Sequence, residues 1–201
     1  MGIEKEIKFR CADILETEHR IAAAGGKALG PWYFERNLLL DTEDKRLAGQ
    51  KCLLRLRSKE KSSKLTFKAP QNPHRQGSAF KVMQELETGI SDPVALTRIF
   101  DCLGFHPCMR YEKFRKKWGL FSAVICLDIL PFGSFMELEG QEDALLACIR
   151  GLNLDPGSGS DRTYYDLFRE SKEYRGHPDF VFDMEHRANI ARELGVNSQV
   201  S

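Results

Sequence analysis

Charged and apolar positions alternate with a period of two along much of the chain. It opens on Ile3-Glu4-Lys5-Glu6-Ile7-Lys8-Phe9. In a strand, side chains i and i+2 share a face, so Glu4, Glu6 and Lys8 point one way and Ile7 and Phe9 the other. The same rule sets Arg55 beside Arg57 with Leu54 and Leu56 opposite, Lys64 with Lys68 across Thr66, Glu85 with Glu87, Lys113 with Arg115 and Lys117, and Glu137 with Glu139. Asp128 stands alone among the apolar residues of Val124–Leu130. These patterns predict strands near 3–10, 33–41, 50–58, 63–69, 80–88, 110–118, 121–130 and 133–140. Turn residues in Trp118-Gly119-Leu120 and Pro131-Phe132-Gly133 predict hairpins, and hence antiparallel pairing.

Three segments switch to helical spacing: 12–24, with Asp13 as a cap, 92–103, opened by Ser91-Asp92-Pro93, and 141–151. They can cover the apolar face of the sheet, which leaves the charged faces to line one concave surface. Closing such a sheet gives a barrel whose tunnel mixes acids with bases. The expected fold is therefore α+β, a closed antiparallel barrel with helices packed outside, over residues 1–170. A polar extension over 171–201 follows, with one helix near 183–195 ending at Gly195, and nothing in its composition suggests a functional role. A capped helix is expected within Asp161–Phe168. The breaker-rich connection Pro70–Ser78 is either a cover for one tunnel mouth or a solvated hairpin loop.

Composition narrows the partners. With 30 basic and 29 acidic residues among 201, the net charge of +1 argues against a dedicated nucleic-acid or membrane-surface binder. No apolar run approaches the roughly 20 residues of a membrane span. Glu4, Lys5, Glu6 and Lys8 also stand where a signal peptide would be apolar, so a cytoplasmic location is expected. Six cysteines without a Cys-x-x-Cys pair read as reduced, mostly buried small hydrophobes, and five histidines without ligand spacing read as surface residues. Neither a P-loop nor a dinucleotide fingerprint is present.

A polyphosphate is the ligand that suits such a lining, since Arg grips phosphate oxygens in pairs and Lys acts as a point charge. Carboxylates repel that anion unless a divalent cation stands between them, so Glu4, Glu6, Glu137 and Glu139 imply Mg²⁺ or Mn²⁺. The plainer alternative is cross-strand pairing on a wet sheet face, worth about 1 kcal/mol or less per pair. One pair would be explained that way; an ordered series on a single parity, buried by barrel closure, calls for a ligand or a fully paired network.

Glu4-Lys5-Glu6-Ile7-Lys8 resembles the Glu-x-Glu-x-Lys signature of the CYTH proteins, or triphosphate tunnel metalloenzymes. This family includes class IV adenylyl cyclases, thiamine triphosphatases, inorganic triphosphatases and fungal RNA triphosphatases. The likeness runs from Glu4 to about Phe168 and takes in Arg55-x-Arg57, Lys64, Lys68, Glu85-x-Glu87, Lys113-x-Arg115, Asp128 and Glu137-x-Glu139 in order. It implies an eight-stranded antiparallel tunnel. It also implies that Glu4, Glu6, Glu137 and Glu139 ligate metal, with Glu87 and Glu85 as further carboxylates, and that Lys8, Arg55, Arg57, Lys113 and Arg115 bind triphosphate. Lys64 and Lys68 would sit nearer the terminal phosphate or the mouth. Asp128 would orient a basic residue or a metal-bound water, and Glu4 or Glu87 would help to activate water. Lys81 and Lys117 share the parity with a poorer motif match.

The expected partner is a small-molecule triphosphate, and the chain is expected to be a monomer or homodimer. Two reactions fit the lining: hydrolysis of the terminal phosphate, and attack of a ribose hydroxyl on the α-phosphate as in a class IV adenylyl cyclase. Hydrolysis is preferred because it needs only the tunnel; a non-catalytic polyphosphate-binding module is a third possibility.

Overall fold

A computed structural model describes residues 2–60, 62–70 and 81–198, and of residues 2–4 and Lys81 it describes the backbone alone. The Glu4 side chain, the Lys81 side chain and the 71–78 part of the breaker-rich connection therefore lie outside the described residues. Eight of the described strands close into an antiparallel barrel: β1 (Gly2–Cys11), β3 (Tyr33–Asp41), β4 (Leu53–Lys59), β5 (Ser62–Pro70), β6 (Lys81–Ile90), β7 (His106–Leu120), β8 (Ala123–Leu130) and β9 (Gly133–Gly140). Around the barrel they run β7-β3-β4-β5-β6-β1-β9-β8, and β8 pairs back onto β7 to close it. A two-residue strand, β2 (Lys27–Ala28), adds to the outer edge of β7.

The strands match the alternation to within a few residues, and the departures have local causes. β7 starts at His106, before the expected 110, with Pro107 placed opposite Leu40 where the register with β3 shifts. A proline without its N–H is tolerated at such a bulge. The β7–β8 hairpin turns at Phe121-Ser122 rather than at Gly119, and both turn residues adopt positive φ, 49° and 65°. That is the twist a two-residue hairpin requires, here without a glycine.

Six helices lie outside the barrel among the described residues: α1 (Ile14–Ala23), α2 (Arg46–Gly49), α3 (Pro93–Cys102), α4 (Glu142–Gly151), α5 (Tyr164–Arg169) and α6 (Met184–Leu194). The Asp13 carboxylate accepts from the Leu15 and Glu16 amides to start α1, and Thr163 and Asp166 form a reciprocal box at the start of α5. Helices α1 and α4 bury Ile21, Leu145 and Ile149 against the outward residues Ile125, Leu127 and Leu138. Each large aliphatic side chain removed from water there contributes about 1.5–3 kcal/mol. Helix α3 contributes less than expected to this layer: it has no fully buried residue and leans on the barrel through half-buried Leu96 and Phe100.

The cysteines are less uniformly buried than expected. Cys126 and Cys148 are buried, Cys11 and Cys52 intermediate, and Cys102 and Cys108 exposed. His19, His106, His177 and His186 are exposed. No helix among the described residues is long and apolar enough to cross a membrane.

Candidate active site: a charged tunnel with an aromatic end

The inward parity of the strands carries the charges. Strand pairing sets Lys8 opposite Glu137 and Glu6 opposite Glu139, so the acids of β1 and β9 form one pole of the interior. The Lys8 ammonium lies between Glu6 Oε1 at 2.7 Å and Glu137 Oε1 at 2.6 Å. Burial by itself would lower the Lys8 pKa, but Glu137 and Glu6 outweigh it and hold the amine well above its ordinary value. The Glu137 carboxyl shows the reverse balance: burial would raise it, and Lys8, Arg115 and Lys113 keep it well below the usual carboxylate range.

On β7 and β8 the pairing sets Arg115 opposite Asp128. Arg115 Nε donates to Asp128 Oδ1 at 2.5 Å, its Nη2 reaches Glu137 Oε2 at 2.5 Å, and its Nη1 lies 3.6 Å from Glu139. The other Asp128 oxygen accepts from Lys113 at 3.1 Å and from the Tyr164 hydroxyl at 2.6 Å. Asp128 is fully buried and both its oxygens are engaged, which makes it an anchor beneath the basic residues rather than a group facing the cavity.

Sequence reasoning missed Glu35 and Asn37 on β3. Glu35 is fully buried, 3.5 Å from the Lys113 ammonium and 3.8 Å from Arg57 Nε, and it accepts from Asn37 Nδ2 at 3.2 Å. Burial would raise its carboxyl, yet Arg57, Lys113, Arg115 and Arg55 hold it far below the ordinary value. The i, i+2 signal was present in Tyr33-Phe34-Glu35-Arg36-Asn37, but Arg36 is charged too, so both faces of that strand read as polar. Arg36 in fact faces outward to Glu112. Tyr111 was missed as well; its hydroxyl accepts from Arg55 Nη1 at 3.0 Å.

The remaining basic and acidic candidates pair with one another between strands. Lys68 pairs with Glu85 at 3.3 Å, and Lys64 with Glu87 at 3.0 Å. Lys64 and Glu87 are both exposed, so this pair lies in a wetter setting than the rest. The Thr66 hydroxyl donates to Glu87 Oε1 at 2.8 Å, and this bond, with Lys64 and Arg57, outweighs desolvation to bring the Glu87 carboxyl down to about 2. Lys117 lies 4.0 Å from Glu139.

Most of these groups line a cavity of about 1690 Å³; Glu35, Asn37 and Asp128 stand behind its lining, and Lys64 lies outside it. Its walls take side chains from β1, β3, β4, β5, β6, β7 and β9, including Lys8, Arg55, Arg57, Glu85, Lys113 and Arg115. The pairing around it is incomplete. Arg55 Nε, Arg57 Nε, Glu35 Oε2 and Asn37 Oδ1 are buried and have no hydrogen-bond partner among the described residues. Buried polar atoms are rarely left so, because each forgoes about 1–3 kcal/mol.

The acidic pole suits a hard divalent cation. Glu137, Glu139 and Cys126 bring one donor atom each to within 4.8 Å of one another, and Glu6 faces Glu139 across the strand pair. Carboxylate oxygens are the ligands Mg²⁺ and Mn²⁺ prefer. The Cys126 thiol is pushed well above its ordinary pKa, first by burial and then by Glu139, and it donates to Glu139 Oε1 at 3.4 Å. It therefore remains a protonated neighbour of the carboxylates at neutral pH.

At the opposite end the same inward parity turns aromatic. Tyr111, Leu130 and Phe135 meet Tyr164 and Phe168 of α5 and Phe180 of the following segment. The Tyr164 ring lies 5.2 Å from both the Lys8 and Lys113 ammoniums.

Comparisons with known proteins agree with this architecture. A family model described as the CYTH domain matches residues 2–164. Among solved structures, the PH1012 protein of Pyrococcus horikoshii OT3 is 21% identical with a TM-score of 0.69, covering 82% of this chain and 98% of its own. A candidate adenylate cyclase from Vibrio parahaemolyticus is 20% identical with a TM-score of 0.68, covering 83% of this chain and 97% of its own. HpAC1 from Hippeastrum, reported to have a dominant triphosphatase activity, is 17% identical with a TM-score of 0.59, covering 88% of this chain and all of its own. No curated protein matches the sequence.

Proposed function

Because the chain belongs to the CYTH domain family, we propose that it hydrolyses the terminal phosphate of a triphosphate bound in the charged tunnel, with Mg²⁺ or Mn²⁺ as cofactor. The observation that carries this reading is that the buried Nε atoms of Arg55 and Arg57 have no hydrogen-bond partner among the described residues, along a cavity that also holds Lys8, Lys113 and Arg115. A chain of phosphate oxygens supplies the acceptors these guanidinium edges lack, in the geometry Arg binds best. The triphosphatase activity reported for HpAC1 supports the same reaction.

Residue roles follow from position. Glu6, Glu137 and Glu139 would hold the cation, with Glu4 joining them from β1 and Glu85 or Glu87 from the far wall. Bound there, the cation would neutralise phosphate oxygens and polarise the phosphorus. Lys8, Arg55, Arg57, Lys113 and Arg115 bind the anion and stabilise the charge that develops in transfer. Asp128 holds Lys113 and Arg115 in place, and Lys64 and Lys68 meet the phosphate nearer the rim. Glu4 or Glu87 accepts a proton from the attacking water; Glu87, an ionised carboxylate with a pKa of about 2, is a weak base and acts through orientation more than basicity.

The experiment is a product assay. Pure protein with Mg²⁺ or Mn²⁺ is given ATP, thiamine triphosphate and tripolyphosphate, and free phosphate is resolved from cyclic AMP. Phosphate release is expected. Cyclic AMP with pyrophosphate as the main products of ATP would replace this reading by the cyclase one, and tight binding without turnover under either metal would leave a binding module.

A further inference from the structure

The cavity is larger and less uniform than a triphosphate needs. At about 1690 Å³ it exceeds the roughly 300–1,000 Å³ of ordinary small-molecule pockets. One wall is the charged lattice of the strands. The other is aromatic, and much of it comes from beyond residue 164, where the family match ends: Tyr165 on α5, then Tyr174, Pro178 and Phe180 on the segment leading to α6.

That segment is built into the barrel. The Phe180 amide donates to the Arg110 carbonyl at 3.1 Å, and the Phe180 carbonyl accepts from the Glu112 amide at 3.2 Å. Its ring stacks on Tyr111 at 5.0 Å between centroids and 20° between planes. Tyr174 is held edge-on by Phe168 at 5.5 Å and 87°. Phe180 is buried, whereas Tyr165 and Tyr174 keep part of their surface on the cavity. Tyr164 joins the two walls, with its hydroxyl on Asp128 and its ring beside Lys8 and Lys113.

We infer that α5 and the start of the C-terminal extension together form a head-group subsite, in which Tyr165 and Tyr174 receive the planar heteroaromatic part of an organic triphosphate. The inference rests on the tunnel being a triphosphate site. Phenol rings offer π faces for stacking and hydroxyls for ring nitrogens. An inorganic triphosphate has nothing to cover them, so the aromatic wall separates organic from inorganic substrates. The shared chemistry is a flat, nitrogen-bearing ring joined to a triphosphate, as in a nucleoside triphosphate or thiamine triphosphate.

The test is equilibrium binding of ATP, thiamine triphosphate and tripolyphosphate to the full chain, comparing wild type with Tyr165→Leu, Tyr174→Leu and the double variant. The quantity read is the ratio of organic to inorganic affinity. Loss of ring stacking is expected to shift that ratio about tenfold against the organic ligand in the double variant. Whichever of ATP and thiamine triphosphate shows the larger shift is the ring the subsite fits. An unchanged ratio, or an equal loss for all three ligands, overturns the subsite. Failure of wild type to bind tripolyphosphate at all would overturn the triphosphate reading itself, which is a different result. Melting temperature is followed for each variant, and Tyr174→Phe, which keeps the ring, should restore the ratio if stacking is what matters.

Discussion

Replacing Asp128 with Asn separates the charge of this residue from its shape. Asp128 is fully buried, and its carboxylate accepts from Arg115 Nε at 2.5 Å, Lys113 at 3.1 Å and the Tyr164 hydroxyl at 2.6 Å. Asn keeps the volume but removes the charge and replaces one of the two acceptor oxygens by an amide nitrogen that itself donates, toward either Arg115 Nε or the Lys113 and Tyr164 donors. Removing one partner of a buried ion pair costs about 3–5 kcal/mol. Here Lys113 retains Glu35 at 3.5 Å and Arg115 retains Glu137 at 2.5 Å, so the lower end, about 3 kcal/mol, is expected. For a domain of this size, each kcal/mol moves the melting temperature by roughly 2–4 °C, giving a drop of about 6–12 °C.

Thermal unfolding with and without tripolyphosphate is the assay. Because the orphaned cations gain a counter-charge when the polyanion binds, the ligand-induced rise in melting temperature should be larger in the variant than in wild type. Turnover should still fall, since Lys113 and Arg115 lose their fixed aim. A variant melting within about 1 kcal/mol of wild type would refute the reasoning, because the charge of Asp128 would then not be what holds the basic residues.

Three further outcomes are expected. Glu137→Gln should lose most Mn²⁺ binding, read by electron paramagnetic resonance of free Mn²⁺, as the central carboxylate of the acidic pole goes. Arg55→Ala should raise KM for tripolyphosphate by about tenfold or more with a smaller change in kcat, because a charged hydrogen bond is worth about 1.5–3 kcal/mol. The Lys59 amine is brought down to about 8, first by burial and then by Arg57, Lys117 and Arg115 against the pull of Glu35, and it lies 3.8 Å from the Tyr33 ring centroid. Its charged form is disfavoured in the fold below about 8, and that penalty fades as pH rises toward the unfolded value of 10.5. An arriving polyanion favours the charged form, so tripolyphosphate binding between pH 8 and 9 should take up a proton, seen as a buffer-dependent calorimetric enthalpy that Lys59→Gln abolishes.

Alternation alone was enough to locate the barrel strands and to say which face of each carries charge, because a side-chain period of two follows from the strand backbone whatever surrounds it. Glu6 with Lys8, Arg55 with Arg57, Lys113 with Arg115 and Glu137 with Glu139 were legible for that reason. Glu35 was not, since a charged neighbour on the outer face concealed the pattern. Short elements such as α2 and β2 also escaped, being too brief to show a period. Which cation meets which anion was decided only by closure of the sheet. Strand order and stagger bring Glu35 to Lys113, Arg115 to Glu137, and Tyr164 from outside the barrel onto Asp128. The extension over 171–201 reads in sequence as a polar tail, yet Phe180 and Phe182 are buried on the barrel and Tyr174 borders the cavity. Phe180 and Phe182 stand at i and i+2, but the stretch is too short and its flanks too polar to read as a strand; their burial depends on the surface they meet, and that surface exists only once the barrel has closed.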